Sequence, residues 1–156
     1  MRKCLQIIFL FLIYTNYCFS LELTGKVISV TDGDTIKLLT KNYITYKIRL
    51  NDIDAPEKKQ AFGNKSKENL ASYIAGKNIK VTYTKLDKYK RILGTIYYNN
   101  LDINLQQIKD GYAWVYKNYS KNQIYSIEEN KSRQLKKGLW SDKFPIEPWI
   151  FRKQKK

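Results

Sequence analysis

A chain of 156 residues fits a single domain and can bury a sizeable core without disulfides or structural metals. Its 29 Lys and Arg exceed its 14 Asp and Glu by 15 charges, which favours a polyanionic partner such as nucleic acid or an anionic surface. Because the chain contains no histidine, His-based catalysis and His metal ligation are excluded, and any catalytic base must be a carboxylate, a lysine or a tyrosine.

The first twenty residues have the pattern of a secretory signal peptide. Two basic residues precede an apolar run over residues 5–13, and small residues, Cys18 and Ser20, stand at the two positions that signal peptidase reads. We therefore predict cleavage after Ser20, with a retained N-terminal anchor as the alternative. Cleavage removes two basic and no acidic residues, so that residues 21–156 would form a secreted or periplasmic domain with net charge +13, no cysteine and no membrane span.

Five segments have the residue alternation or composition of β-strands. The clearest covers residues 43–50, where apolar positions such as Ile48 and Leu50 alternate with Thr45, Lys47 and Arg49. The other four strands are predicted at residues 23–30, 35–39, 79–84 and 92–98. Short strands of this number, with helices between and after them, indicate a small barrel.

Three helices are predicted, each ending at a glycine. The second begins at an N-cap, Asn104, with Gln107 three residues later, and the third has a modest apolar face of Ile124, Ile127 and Leu135. The three helices cover residues 66–75, the stretch between 104 and 111, and residues 124–137, while the basic tail 151–156 is expected to fray. The predicted fold class is α+β, a five-stranded OB-type β-barrel with three helices.

Five of the fourteen acidic residues fall in two short loops, 32–35 and 52–57. Asp34 and Asp54 lie next to strand ends, so they could converge on one cation if those strands are neighbours. Calcium prefers carboxylate, carbonyl and water oxygens, and a catalytic site must leave positions open for substrate. Each loop alone is also an ordinary turn, because Asp-Gly and Asp-Ala-Pro-Glu are common turn sequences.

Two arginines accompany the acidic loops. Arg49 precedes the second loop, and Arg91 ends a charged segment, 87–91, before the fifth strand. Phosphodiester hydrolysis needs positive charge around the phosphorus, and the planar guanidinium suits that role better than a lysine. Taken individually, Arg49 could be a solvated strand residue and Arg91 a member of a charged turn.

These segments, taken in order, resemble the thermonuclease, or staphylococcal nuclease, family of secreted bacterial type. The motifs are residues 27–35 (VISVTDGDT), 49–50, 53–57 (IDAPE), 60–63 (QAFG), 87–91 (DKYKR), 138–141 and 148–149. The resemblance covers residues 23–152. It implies a calcium-dependent nuclease on an OB-type barrel that hydrolyses DNA and RNA and leaves 3′-phosphate ends, and we expect a monomer.

The resemblance also implies roles for individual residues. The Ca²⁺ ligands would be Asp34, Asp54 and the carbonyl of Ala55, with Asp32 as an acidic residue beside the metal. Glu57 would be the general base, and Arg49 and Arg91 would hold the phosphate. Substrate contacts would come from Lys88 and Tyr89 at the terminal phosphate and from rings beside the base, namely Trp114 and Tyr116, or Tyr119.

One departure from the family pattern concerns the second arginine. Lys90 stands where the family usually has glycine, so a turn that needs positive φ would change the orientation of Arg91. The main alternative function is an exported OB-type module that binds nucleic acid without cutting it. A weaker alternative is a cationic envelope protein that binds an anionic surface.

Overall fold

The computed structural model describes residues 20–154. The predicted signal peptide falls almost entirely on residues 1–19, outside the described residues. Within residues 20–154, no helix is both long and apolar enough to cross a membrane.

Five strands close into a barrel. They are β1 (Leu21–Asp32), β2 (Thr35–Leu39), β3 (Thr45–Leu50), β5 (Asn78–Leu86) and β6 (Ile92–Tyr98). Antiparallel pairings join β3 to β2, β2 to β1, β1 to β5 and β5 to β6, and a parallel pairing of β3 with β6 closes the ring. Three two-residue strands are attached to this frame: β4 (Ile53–Asp54), β7 (Leu101–Asp102) and β8 (Trp114–Val115). The predicted OB-type barrel is confirmed.

The alternation that predicted β3 also fills the core. Ile48 and Leu50 are fully buried, and they pack with Ile36, Ile92 and Ile96 from neighbouring strands. Residues between them face the other side of the sheet, because successive side chains on a strand point in opposite directions. By this alternation Arg49 lies on the outer side of the barrel, next to the acidic loops.

In the described part of the chain, four α-helices surround the barrel, one more than the sequence predicts. They are α1 (Gly63–Ile74), α2 (Ile103–Lys109), α3 (Gln123–Gln134) and α4 (Pro148–Gln154), and a 3₁₀ turn covers Gly138–Ser141. The segment expected to fray is therefore largely helical. Pro148 stands at the first helical position, where proline's fixed φ and missing N–H are tolerated, and this signal was available in the sequence.

The start of α2 corrects the predicted cap. Asp102 is the N-cap, and its side chain accepts a hydrogen bond from the Leu105 N–H at 2.9 Å. Asn104 is instead fully buried inside the helix, where its amide donates to the carbonyls of Asn51 and Gly94. Asn104 thus ties α2 to the barrel rather than capping a helix.

The predicted apolar face of α3 is wrong. Ile124, Ile127 and Leu135 are 59%, 52% and 66% exposed, whereas the buried positions are Tyr125, Glu129 and Ser132. These three pack through hydrogen bonds as well as apolar contact; for example, the Tyr125 hydroxyl donates to Asp102 at 2.8 Å. The helix docks on a polar face, which an apolar periodicity cannot reveal.

Candidate active site

The fold brings the two acidic loops into contact. The Asp34 carbonyl accepts from the Leu50 N–H at 2.8 Å, and the Asp34 carboxylate accepts from the Ala55 N–H at 2.8 Å. β4, which ends at Asp54, pairs with β8, and the next residue, Ala55, makes the hydrogen bond to Asp34. Asp34 and Asp54 are 6% and 1% exposed, so both carboxylates are buried at one edge of the barrel.

Arg49 joins the two carboxylates. Its Nη2 lies 2.9 Å from Asp54 Oδ1 and 3.3 Å from Asp34 Oδ2. Its Nη1 donates to the carbonyls of Leu50 and Ile53. A single nitrogen that touches both carboxylates shows that they converge, as the sequence predicts for a cation site. The solvated-strand alternative for Arg49 is excluded, since its side chain is 12% exposed.

Burial makes negative charge costly here. Burial raises the pKa of Asp32 to about 6, and the neighbouring Asp34 contributes to this rise. Burial also raises the pKa of Asp54, and Asp34 adds to this effect, while the hydrogen bond from Arg152 and the charge of Arg49 oppose it. Asp32 also accepts from the Asp34 N–H at 3.1 Å and so shapes the turn that presents Asp34.

The first acidic loop is supported by Gln107, the residue three positions after the predicted cap Asn104. Gln107 is fully buried, and its amide donates to the Gly33 carbonyl at 2.8 Å and to the Ser66 carbonyl at 3.2 Å. Gly33 itself must be glycine, because a Cβ there would collide with the Ser66 hydroxyl and the Ala55 side chain. A fully buried glutamine fixes the loop, although nothing in the local sequence signals it.

Glu57 lies at the mouth of the site, with its side chain 40% exposed. The loop that carries it is closed by Gln60, whose Oε1 accepts from the Glu57 N–H at 3.1 Å. A Cβ at Gly63 would collide with the Glu57 carbonyl, so this close approach requires glycine. The conformation of the QAFG motif thus sets the position of the Glu57 backbone.

Arg152 of α4 contacts the same carboxylates, and no sequence pattern predicts this contact. Its Nη2 lies 2.7 Å from Asp54 Oδ2, and its Nη1 lies 2.8 Å from Glu57 Oε1. Hydrogen bonds from Arg152 to Asp54 and Glu57 raise the pKa of the guanidinium above its usual range. The guanidinium thereby bridges Asp54 and Glu57. This bridge is the contact that links the Glu57 side chain to the buried carboxylates.

Arg91 sits outside this cluster. Ile48 and Ile92 are paired and buried, so alternation places Arg49 on the outer side of β3 and Arg91, which directly precedes β6, on the same side. Arg91 Nε lies 2.7 Å from Asp87 Oδ2, and the backbone N–H groups of Tyr89 and Arg91 also donate to Asp87. Although burial opposes the effect, these hydrogen bonds lower the pKa of Asp87.

Lys90 adopts the conformation that the family's glycine would favour. Its φ is 61°, so the turn does need a left-handed residue, and a non-glycine residue carries it at some cost. Asp87 holds the turn and Arg91 together in spite of this substitution. Lys88 and Tyr89, expected at the terminal phosphate, are exposed at the tip of the same turn.

The three candidate rings for the base lie in one aromatic group. Trp114 is only 4% exposed and packs edge-on against Trp140 and Trp149. Tyr116 contacts Tyr119, which is 69% exposed, with ring centres 4.7 Å apart. Tyr119 therefore offers accessible ring surface, whereas Tyr116 is half-buried and Trp114 is buried.

The oxygen donors at the centre suit a hard divalent cation. Two buried carboxylates converge within reach of one nitrogen, and the Ala55 carbonyl belongs to the same loop. Among residues 20–154, no three His, Cys, Asp or Glu side chains form a group that could hold a metal. A cation bound here would therefore need the carbonyl and solvent oxygens besides Asp34 and Asp54.

Comparison with known proteins agrees with this geometry. A family model described as staphylococcal nuclease homologue matches residues 47–142. The chain is 42% identical over 149 residues to an uncharacterised endonuclease of Haemophilus influenzae, covering 94% of this chain and 84% of the relative. It is 39% identical over 156 residues to an uncharacterised endonuclease of Escherichia coli, covering 99% and 100%.

A third relative carries a more specific name. The chain is 37% identical over 147 residues to a micrococcal nuclease of Shigella flexneri, covering 86% of this chain and 83% of the relative. The family model covers the second acidic loop and the Arg91 turn. The Escherichia coli relative, which matches 99% of this chain, also covers the first acidic loop. The chain belongs to the staphylococcal nuclease family.

Proposed function

We propose that this protein is a secreted, calcium-dependent endonuclease that hydrolyses phosphodiester bonds of DNA and RNA and leaves 3′-phosphate ends. The observation that carries the proposal is the convergence of Asp34 and Asp54 on Arg49, with Glu57 connected to them through Arg152. Carboxylates, a base and arginines are the groups that phosphodiester hydrolysis requires. Family membership and relatives named as nucleases support the same activity.

The residues that would hold calcium are Asp34, Asp54 and the Ala55 carbonyl. When bound, calcium would supply positive charge that stabilises negative charge developing on the phosphate. The chain's own contribution is to keep the two carboxylates together against their repulsion. Arg49 does this by donating to Asp54 while its Nη2 lies 3.3 Å from Asp34. Asp34 also accepts hydrogen bonds from the Ala55 N–H and the Thr35 hydroxyl.

Glu57 is the residue suited to accept a proton from the attacking water. It is more exposed than Asp34 and Asp54, and its carboxylate lies at the mouth of the site where substrate would enter. A base must reach a water molecule next to the phosphorus, and the buried aspartates lack that access.

The two arginines would contact the phosphate in different ways. Arg49 is fixed beside the carboxylates and would couple phosphate binding to the metal ligands. Arg91 uses Nε for Asp87, and in the described part of the chain none of its Nη atoms has a hydrogen bond. Its Nη groups are therefore available to meet charge that develops on the phosphate oxygens.

The test of this function is a nuclease assay on purified protein with single-stranded DNA and RNA. Cleavage should require calcium, stop with chelator, and leave ends that a 3′-phosphatase converts to hydroxyls. Asp34→Ala is the matched variant, which should need more calcium because it lacks one charged ligand. Binding without cleavage would favour the noncatalytic OB-type module, and cleavage with chelator would contradict the calcium requirement.

Secretion is tested separately. The producing cells should release or store in the periplasm a protein whose N-terminal sequence begins at Leu21. Retention of residues 1–20 in the membrane fraction would instead support the anchor.

A further inference from the structure

The C-terminal helix α4 places a cation on the carboxylates of the candidate metal site. Arg152 donates from Nη2 to Asp54 Oδ2 at 2.7 Å and from Nη1 to Asp54 Oδ1 at 3.2 Å. The same Nη1 donates to Glu57 Oε1 at 2.8 Å. Both oxygens of Asp54 are thus engaged by a guanidinium, which is itself a positively charged group suited to carboxylates.

Charge balance explains why a cation is held here. Asp54 is 1% exposed, and an isolated buried carboxylate is costly unless positive charge compensates it. Arg49 is already shared between Asp34 and Asp54, so a second positive group is needed near Asp54. Arg152 meets this need from a side chain that is 42% exposed, and a divalent cation would meet it equally well.

The same helix also covers the aromatic part of the site. Trp149, three residues before Arg152, stacks on Tyr116 with ring centres 5.4 Å apart and an interplanar angle of 10°. Residues three apart lie on one helix face, so a single face of α4 contacts both the carboxylates and the ring expected beside the base.

The contacts between α4 and the barrel allow the helix to separate from the barrel. The helix has seven residues, and a helix of this length is unstable on its own in water. A cavity of about 100 Å³ remains between the C-terminal segment and the barrel, lined in part by Phe62, Trp114 and Phe144. The segment before the helix is held by a hydrogen bond from Gln60 to the Ile146 carbonyl at 2.6 Å.

We propose that Arg152 competes with the divalent cation for Asp54, so that metal binding displaces the guanidinium from Asp54 and Glu57 and loosens α4 from Tyr116. This proposal rests on the proposed calcium dependence. The competition would make Arg152 the residue that sets how much calcium the enzyme needs. In addition, release of Trp149 would uncover Tyr116 for substrate in the same step.

The experiment compares Arg152→Met with Lys153→Met, which removes the same charge from an exposed position on the same helix. Calcium affinity is measured by isothermal titration calorimetry, and unfolding is followed in chelator. We expect Arg152→Met to bind calcium about tenfold more tightly or better and to unfold at lower temperature in chelator. Lys153→Met should stay within about twofold of the parent dissociation constant.

A second variant, Arg152→Lys, and a second measurement, tryptophan fluorescence, test the proposal even if Arg152→Met misfolds. Arg152→Lys retains the charge without the bidentate geometry, so its calcium affinity should fall between those of the parent and Arg152→Met. Tryptophan fluorescence should change on calcium binding in the parent, and less in Arg152→Met, where Trp149 is already released.

The outcomes separate this proposal from the proposed function. Equal or weaker calcium affinity in Arg152→Met, with the parent binding calcium, would overturn the competition alone. A large loss of single-turnover rate at saturating calcium, with unchanged affinity, would overturn it by making Arg152 a phosphate contact. Absence of calcium binding in every protein tested would overturn the calcium requirement itself and the competition with it.

Discussion

At the scale of single residues, the centre of the site is a balance between four acids and two arginines. Asp32, Asp34 and Asp54 are drawn together by the meeting of two loops, and Glu57 lies at their rim. Arg49 and Arg152 offset only part of this charge. In the function proposed above, the remaining negative charge, held at strand ends, would attract the divalent cation to a chain that is otherwise strongly basic.

The exposed acid is the one expected to take part in proton transfer. We predict that Glu57→Gln slows cleavage by about two to four orders of magnitude, the range typical of a positioned general base. The amide oxygen of the substituted side chain can still accept from Arg152, so the fold and calcium affinity should be retained. Single-turnover rates and circular dichroism check this result.

Glu68→Gln is the control, because it makes the same chemical change at an exposed position on α1. Its rate should match that of the parent. A loss below tenfold in Glu57→Gln would remove Glu57 from the role of base.

At the scale of elements, the turn before β6 is strained by its own sequence. Lys90 has φ 61°, a conformation that costs a non-glycine residue about 1–2 kcal/mol. Glycine there relieves this strain but loses more entropy on folding, so Lys90→Gly should stabilise the protein by about 0.5–1 kcal/mol. Urea unfolding measures the difference.

Lys88→Gly is the matched control in the same turn, since Lys88 is not among the residues with positive φ. This change should destabilise the protein, because it adds unfolded-state freedom without relieving strain. If both variants stabilise the protein, the gain comes from the loss of a positive charge and not from relief of the positive φ at Lys90.

The contact of Tyr125 on α3 with Asp102 predicts that the stability of the protein depends on pH in alkaline solution. Burial raises the pKa of the Tyr125 phenol, and the Asp102 carboxylate that accepts its hydrogen bond raises it further. The contribution of Tyr125 to stability is therefore present below the unfolded pKa of about 10 and is lost as the pH rises above it. Tyr125→Phe should cost about 1–3 kcal/mol at pH 7 and less in alkaline solution.

Denaturant unfolding at pH 7 and near pH 11 measures this change. Tyr43→Phe is the control, because Tyr43 is 88% exposed, and its stability should follow the parent at both pH values. A cost for Tyr125→Phe that is constant with pH would contradict the role of the buried phenol.

At the scale of the whole molecule, net charge governs binding whereas the site governs chemistry. For the predicted mature chain, with a charge of +13, affinity for single-stranded nucleic acid should fall with salt by roughly 0.7 log units per phosphate contacted on a log salt scale. Arg91→Ala should reduce that slope by at most about one contact but lower the single-turnover rate on the order of 10² to 10³.

Binding is measured with calcium withheld so that the complex is not cleaved. Lys47→Ala is the control, because it removes a charge from an exposed position on β3 beside the same barrel face. It should alter the salt dependence by a similar amount without slowing cleavage. Equal losses of binding and rate in Arg91→Ala would reduce Arg91 to an ordinary phosphate contact.

Much of this molecule was determined by local sequence. Alternation in the strands defined the barrel and its core, and glycines marked the ends of α1 and α2, because period and turn chemistry depend on neighbouring residues. The predicted end of α3 before Gly138 is wrong: the helix ends at Gln134, and Lys136 takes the left-handed conformation instead. The two acidic loops and the arginines that accompany them could also be predicted, since they lie at or beside strand ends that the barrel brings together.

Only the tertiary structure decided the contacts between distant residues. Arg152 reaches Asp54 across 98 residues of sequence, and Gln107 supports Gly33 across 74. The buried face of α3 is likewise chosen by polar partners on β7, β8 and α2 rather than by apolar period. Each of these contacts depends on which surfaces pack together when the barrel closes, and no local sequence pattern specifies that packing.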